Sequence, residues 1–140
     1  MCGISGVVGL NNISDLLFEG IRNLEYRGYD SCGVALMNKT HLIIKKDIGG
    51  VEEFYRKHNV LQQKSNIGIA HTRWATHGKV TKGNTHPFTS RDGNFAVVHN
   101  GIISNYRPLK DKLEKEGYKF SSETDTEVIA HLLEKFFKRS

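Results

Sequence analysis

A cysteine stands second in the chain, in Met1-Cys2-Gly3-Ile4-Ser5-Gly6, so removal of one methionine makes it the N-terminal residue. A free thiol has a pKa of about 8.5 and is mostly protonated at neutral pH, so as a nucleophile it needs a base. A terminal Cys2 carries one of its own. Its α-amine, with an ordinary pKa of about 7.7–8.0, is within reach of the thiol proton directly or through one water. The small side chain at position 2 also leaves Met1 open to aminopeptidase removal. The alternative is a structural cysteine packed as a small apolar residue in a buried first strand.

Three further segments could carry chemistry. Arg73-Trp74-Ala75-Thr76-His77-Gly78 follows the apolar run Ile67-Gly68-Ile69-Ala70 and sets a cation, a flat aromatic and a hydroxyl at a strand end. Guanidinium binds carboxylates through paired hydrogen bonds, so Arg73 suits an amino-acid α-carboxylate; equally, it could be a surface arginine lying on Trp74. Asn100-Gly101 lies between Phe95-Ala96-Val97-Val98 and Ile102-Ile103, which is a strong hairpin signal. A side-chain amide beside an unhindered glycine N–H is also a pair of donors suited to an oxyanion. Asp125 is either a first-turn acid opposing a helix dipole or a carboxylate partner for an ammonium group. His71, His77, His86 and His99 suggest a metal, but none of them shares an i,i+4 spacing and only two cysteines could join them, so no metal site is expected.

The elements that must position these residues follow from composition and pattern. With 140 residues, 38% of them apolar and 25% charged, the chain is long enough for one core and reads as a single unit over 1–140. The net charge of +5 raises nucleic-acid binding. Basic residues alternate with acids, however, as in Lys110-Asp111-Lys112-Leu113-Glu114-Lys115-Glu116, which describes a solvated helix face and argues against such a partner. There is no secretory leader and no apolar run of the ~18 residues a membrane span needs, so a cytoplasmic protein is expected. Cys2 and Cys32 should then both be thiols, with Cys32 a packing residue. Strands are predicted over Cys2–Leu10, Gly33–Met37, His41–Lys46, Asn66–His71 and Asn94–His99. A first helix should begin with Asn12 or Ser14 as cap, show Ile13, Leu16, Leu17, Ile21 and Leu24 on one face, and end by Gly28. Helices are also predicted over Val51–Asn59 and Tyr106–Glu116, the latter stopped by Gly117. A last helix opens on a capping box, Thr124-Asp125-Thr126-Glu127, ahead of Val128, Ile129, Leu132, Leu133, Phe136 and Phe137. The long stretch from Thr72 to Gly93, rich in Gly, Thr, His and Asn, reads as a functional loop.

Six ordered segments together resemble the class II glutamine amidotransferases. They are Cys2-Gly3-Ile4, Leu24-Glu25-Tyr26-Arg27-Gly28-Tyr29-Asp30-Ser31, Gly68-Ile69-Ala70-His71-Thr72-Arg73-Trp74-Ala75-Thr76-His77-Gly78, Asn84-Thr85-His86-Pro87, His99-Asn100-Gly101-Ile102-Ile103-Ser104-Asn105 and Ser122-Glu123-Thr124-Asp125-Thr126-Glu127. The match runs the whole length of the chain. Sister branches share Cys-Gly-Ile and a looser form of the rest, whereas Trp-Ala-Thr-His-Gly favours the branch that forms amino sugars. The resemblance implies an α+β fold of the N-terminal-nucleophile hydrolase type, an α/β/β/α sandwich of antiparallel sheets. It also implies a reaction without a cofactor, in which glutamine is hydrolysed to glutamate and ammonia through a γ-glutamyl thioester. The ammonia would serve glucosamine 6-phosphate synthesis from fructose 6-phosphate. By matching position, Cys2 would be the nucleophile, Arg73 would bind the α-carboxylate and Asp125 the α-ammonium. Asn100 and Gly101 would form the oxyanion hole, Trp74, Thr76 and His77 would line the pocket and its covering loop, and Arg27 would support the site.

In that family the domain continues past the capping-box helix with further strands, and sugar-isomerase domains follow. The expectation is therefore a sandwich incomplete within residues 1–140, partnered by L-glutamine and by those missing parts, with homo-oligomers formed by the full enzyme. A second reading is a glutamine-binding module that is inactive until its remainder is supplied, or the glutaminase part of another branch.

Overall fold

The computed structural model describes residues 2–75 and 79–138. Among these, four strands form an antiparallel sheet in the order β1-β4-β2-β3, from β1 (Gly3–Val8), β2 (Ser31–Asn38), β3 (His41–Ile48) and β4 (Ile67–Arg73). The alternation of the strands divides their side chains. Cys32, Val34 and Leu36 of β2 and Ala70 of β4 point to one face, where they meet Ile13, Leu17 and Ile21 of α1 (Ser14–Arg22) and Val51, Phe54 and Tyr55 of α2 (Val51–Lys57) in a closed apolar core. Cys32 is wholly buried there, the packing role expected of it.

The other face of the sheet carries His71 and Lys46. It is covered by the 79–87 loop and by a small two-stranded sheet of β5 (Phe88–Thr89) and β6 (Ala96–Val97). Lys46 donates to the carbonyls of Thr85 and Pro87 and lies over the Phe88 ring, and α4 (Glu127–Phe137) packs on both β5 and β6. α3 (Tyr106–Lys115) joins α4 through Leu113, Tyr118 and Val128. Helices, sheet, sheet and helices therefore stack in the expected α/β/β/α order.

Local expectations needed correction where long-range partners intervene. Neither Asn12 nor Ser14 caps α1. Asn12 Oδ1 instead accepts from Ser14 Oγ and the Ser65 N–H, and Ser14 Oγ donates to the Gln63 carbonyl, so both tie the helix start to the loop ahead of β4. On α1, Leu16 faces outward, and the helix stops at Arg22 before a 3₁₀ turn over Glu25–Arg27 that ends at Gly28. The strand expected over Asn94–His99 pairs only at Ala96–Val97.

The capping box also reads differently. α4 starts at Glu127, and the Glu127 carboxylate accepts from the N–H and O–H groups of Ser121 and Ser122 rather than reaching back to Thr124. The inward side of α4 carries Glu127, His131, Glu134 and Lys135, while Leu133, Phe136 and Phe137 are exposed beside Phe95 in an apolar groove. No helix among the described residues is long and apolar enough to cross a membrane.

Candidate active site

Antiparallel pairing places the chain start at the far end of β4. Gly3 pairs with Thr72, so Cys2 lies beside Arg73 and Trp74, and its half-buried Sγ–H points at the Trp74 carbonyl 3.8 Å away. The Arg27-Gly28-Tyr29-Asp30 run is laced to the same strand end. Thr72 Oγ1 donates to the Gly28 carbonyl, the Asp30 N–H to the Arg73 carbonyl at 3.0 Å, and the Ala75 N–H to Asp30 Oδ2 at 2.8 Å. Gly28 is needed for this approach, because a Cβ there would lie 2.6 Å from both Arg73 C and Trp74 N. The lacing brings Arg27 to the pocket wall, where its buried Nε has no hydrogen-bond partner among the described residues.

The cleft so formed has a volume of about 730 Å³ and is lined by Cys2, Arg27, Arg73, Trp74, Asn100, Gly101 and Asp125, among others. Seven of the nine residues singled out from sequence thus meet in one cavity; Thr76 and His77 lie outside the described residues. Asn100 Nδ2 donates to the Cys2 carbonyl at 3.1 Å. Asp125 Oδ2 accepts the Ile103 N–H at 2.6 Å, which fixes the carboxylate at the wall and leaves acceptor capacity toward the cavity. Arg73 is 7% exposed, and its Nη1 donates to the Lys79 carbonyl at 3.4 Å.

Asn100-Gly101 is not the hairpin its flanks suggest. No strand forms over Ile102-Ile103. The turn is held instead by the His99 N–H on His86 Nδ1 (3.4 Å), by His99 Nδ1 against Thr126 Oγ1 (3.3 Å) and by Asp125 on Ile103. Gly101 has φ +156°, and a Cβ would meet His99 Nε2 at 2.8 Å, so only glycine fits.

Sequence reasoning gave no role to His71, His86, Asn84 or Glu123. His71 Nε2 lies 2.9 Å from Asn100 Oδ1, and its ring stacks on that of His86 at 4.1 Å and 11°. Burial pushes both imidazoles down, His71 to about 4 and His86 to about 2, so both are neutral at pH 7. Asn84 and Glu123 exchange two hydrogen bonds, Nδ2 to Oε2 at 3.1 Å and N–H to Oδ1 at 3.0 Å, and join the 79–87 loop to the loop before α4. Asn84-Thr85-His86-Pro87 and Ser122-Glu123 were visible as motifs, but nothing local in them reveals these partners. Although His71, His86 and His99 are neighbours, the described residues contain no group of three or more His, Cys, Asp and Glu arranged to hold a metal.

The stacked antiparallel sheets, with Cys2 at the rim of a cleft, agree with the N-terminal-nucleophile amidotransferase class that the sequence resembles. The family profile of the glutamine amidotransferase domain matches residues 56–139, more than half of the chain, and the chain belongs to that family. Curated relatives include the glutamine–fructose-6-phosphate aminotransferase (isomerizing) of Acinetobacter baylyi, 54% identical over 133 residues, which are 95% of this chain and 21% of that protein. The enzyme of the same name from Pyrococcus horikoshii is 52% identical over 134 residues, 96% of this chain and 22% of its own length. The chain spans about a fifth of the length of these relatives. Among solved structures, the glutamine phosphoribosylpyrophosphate amidotransferase from B. subtilis superposes with a TM-score of 0.80 at 30% identity, over 99% of this chain and 30% of that one. A structure described as the allosteric regulatory enzyme of purine biosynthesis gives 0.81 at 31% identity, with the same coverage.

Proposed function

We propose that the cleft hydrolyses the side-chain amide of L-glutamine to glutamate and ammonia. The observation that carries this reading is the distribution of groups in one cavity. A thiol (Cys2) and an amide donor (Asn100) line it together with guanidinium groups (Arg27, Arg73) and carboxylates (Glu123, Asp125). A free amino acid is a zwitterion and needs one partner of each sign, and this lining supplies both in the same cavity as the thiol.

In the proposed reaction, Arg73 clamps the α-carboxylate and Asp125 the α-ammonium. With Met1 removed, the Cys2 α-amine takes the thiol proton and the thiolate attacks the γ-carbonyl carbon. Negative charge moves onto the carbonyl oxygen, where the Asn100 amide and the Gly101 N–H receive it. As the tetrahedral intermediate collapses, the C–N bond breaks and the ammonium form of the base protonates the leaving nitrogen. Water then attacks the γ-glutamyl thioester, the amine again accepting a proton, and glutamate leaves with the thiol restored. Arg27 braces the Cys2 end.

The reading extends to context. The relatives are named for transfer from glutamine to fructose 6-phosphate, which supports a reading in which the ammonia aminates that sugar; sugar-isomerase domains, a cytoplasmic location and further strands completing the sandwich belong to the same proposal. The test is glutamate release from glutamine by this chain within the complete enzyme, with intact mass recorded on the same sample. Activity is expected from material lacking Met1 and none from Cys2→Ala; full activity with Met1 in place would refute the terminal-amine mechanism.

A further inference from the structure

The orientation of the Asn100 amide follows from its partners. The Cys2 carbonyl can only accept, so the Asn100 atom 3.1 Å from it is the NH₂. The other end is then the oxygen, and His71 Nε2, 2.9 Å away, must be a donor. A neutral imidazole carries one proton, so His71 is the Nε2–H tautomer and its Nδ1 is a bare acceptor. The surroundings agree with this, since His71 Nδ1 is buried and has no hydrogen-bond partner among the described residues. The opposite tautomer would bury an N–H with nothing to receive it and would set two lone pairs against each other across 2.9 Å.

We propose that His71 is a positioning residue for the reaction: its Nε2–H locks the Asn100 amide with the NH₂ turned toward Cys2. This inference rests on the glutaminase reading. Asn100 is itself exposed and sits on a turn, so little packing opposes rotation of its amide, whereas His71 is 1% exposed on a central strand. Its ring plane is fixed by the stack on His86, which is held in turn by the His99 N–H and by the edge contact with Phe88 (4.6 Å). A rigid buried donor thus sets an exposed rotor. A flipped amide would present its oxygen, rather than a donor, to the developing oxyanion. The His71 bond also polarises the amide, which strengthens its remaining N–H as a donor.

Two measurements decide the point. In His-labelled wild-type chain, long-range proton–nitrogen spectra should show the His71 proton on Nε2 at pH 7; a proton on Nδ1 overturns the proposal without any variant or assay. In kinetics, His71→Phe keeps a flat ring over His86 but has no donor, and kcat should fall about tenfold with KM nearly unchanged, the effect of one lost hydrogen bond. His71→Gln, whose amide nitrogen can occupy the Nε2 position, should recover most of that loss. Against an Asn100→Ala background, His71→Phe should cost nothing further, because the group it positions is gone. A loss of the same size in that background, or equal loss in the Phe and Gln variants, would assign His71 a purely structural role. Absence of glutamate release from the wild type would count against the glutaminase reading alone, since the tautomer is read independently of turnover.

Discussion

Glu127→Gln changes one atom in a side chain that is 2% exposed, and the hydrogen bonds around it set the expected cost. Oε1 accepts from Ser121 N–H (2.8 Å) and O–H (2.9 Å), Oε2 from Ser122 N–H (2.8 Å) and O–H (2.6 Å), and His131 Nε2 stands 3.6 Å from Oε1. Burial alone would raise the carboxyl, but His131 and the serine hydrogen bonds outweigh it and hold it at about 2 against an ordinary 4.5. That difference corresponds to ~3 kcal/mol of stability at neutral pH. Because the folded value is the depressed one, the contribution is fully present above about pH 4.5 and is lost as pH falls through about 2. In the glutamine variant an NH₂ group faces two donors and cannot accept. It should therefore be ~3 kcal/mol less stable at pH 7, lowering Tm by about 10 °C, and the gap should close as pH is taken from 5 toward 2. Denaturant titrations of both proteins across that range measure it. The Ser121–Thr126 segment also carries Glu123 and Asp125 on the cleft wall, so KM for glutamine should rise more than kcat falls. Equal stability at pH 7, or a gap as wide at pH 3 as at pH 7, would refute this account of the buried carboxylate.

A glutamine-analogue electrophile should modify Cys2, which is half-buried at the cleft, and spare Cys32, which is wholly buried and whose thiol burial pushes well above the ordinary range; peptide mapping that found Cys32 as the main adduct would reverse the assignment. Asn100→Ala should lower kcat about 10²–10³-fold with KM little affected, and unchanged turnover with only a lower Tm would remove Asn100 from the oxyanion hole. Gly28→Ala forces a Cβ to within 2.6 Å of the Arg73–Trp74 backbone, so a loss of ~1–3 kcal/mol and a higher KM should appear together; an unchanged Tm would show that this close approach is not required.

Elements governed by local pattern were legible in the sequence. β2, β3 and β4 lie where alternation and apolar runs put them, α2 and α3 start at the predicted residues, and Ile13, Leu17 and Ile21 point inward as the spacing requires. The site was legible in a different way. Cys2, Arg73, Asn100 and Asp125 each had an innocuous local reading, and only their joint order along the chain singled them out. The pairing of Gly3 with Thr72 supplies the physical link, by bringing residue 2 beside residue 73.

What stayed hidden depended on partners distant in sequence. In the sequence Glu127 reads as the last member of a capping box ahead of the apolar Val128, Ile129, Leu132, Leu133, Phe136 and Phe137, and nothing local marks His131, Glu134 or Lys135 as facing inward. Glu134 is instead fully buried, taking Arg91 at 3.1 Å, the Asp92 N–H at 3.1 Å and Lys138 at 2.9 Å, and Lys135 meets Glu116 at 2.6 Å. A charged stripe can turn inward only if each charge finds a partner, and those partners come from the loop before β6, from the end of α3 and from the 121–122 segment. The same holds for His71. Its significance lies in Asn100, 29 residues further along the chain. Periodicity reports which side of an element is apolar. It does not report which polar groups will be brought opposite one another, and in this cleft that second fact determines which amide end faces the nucleophile.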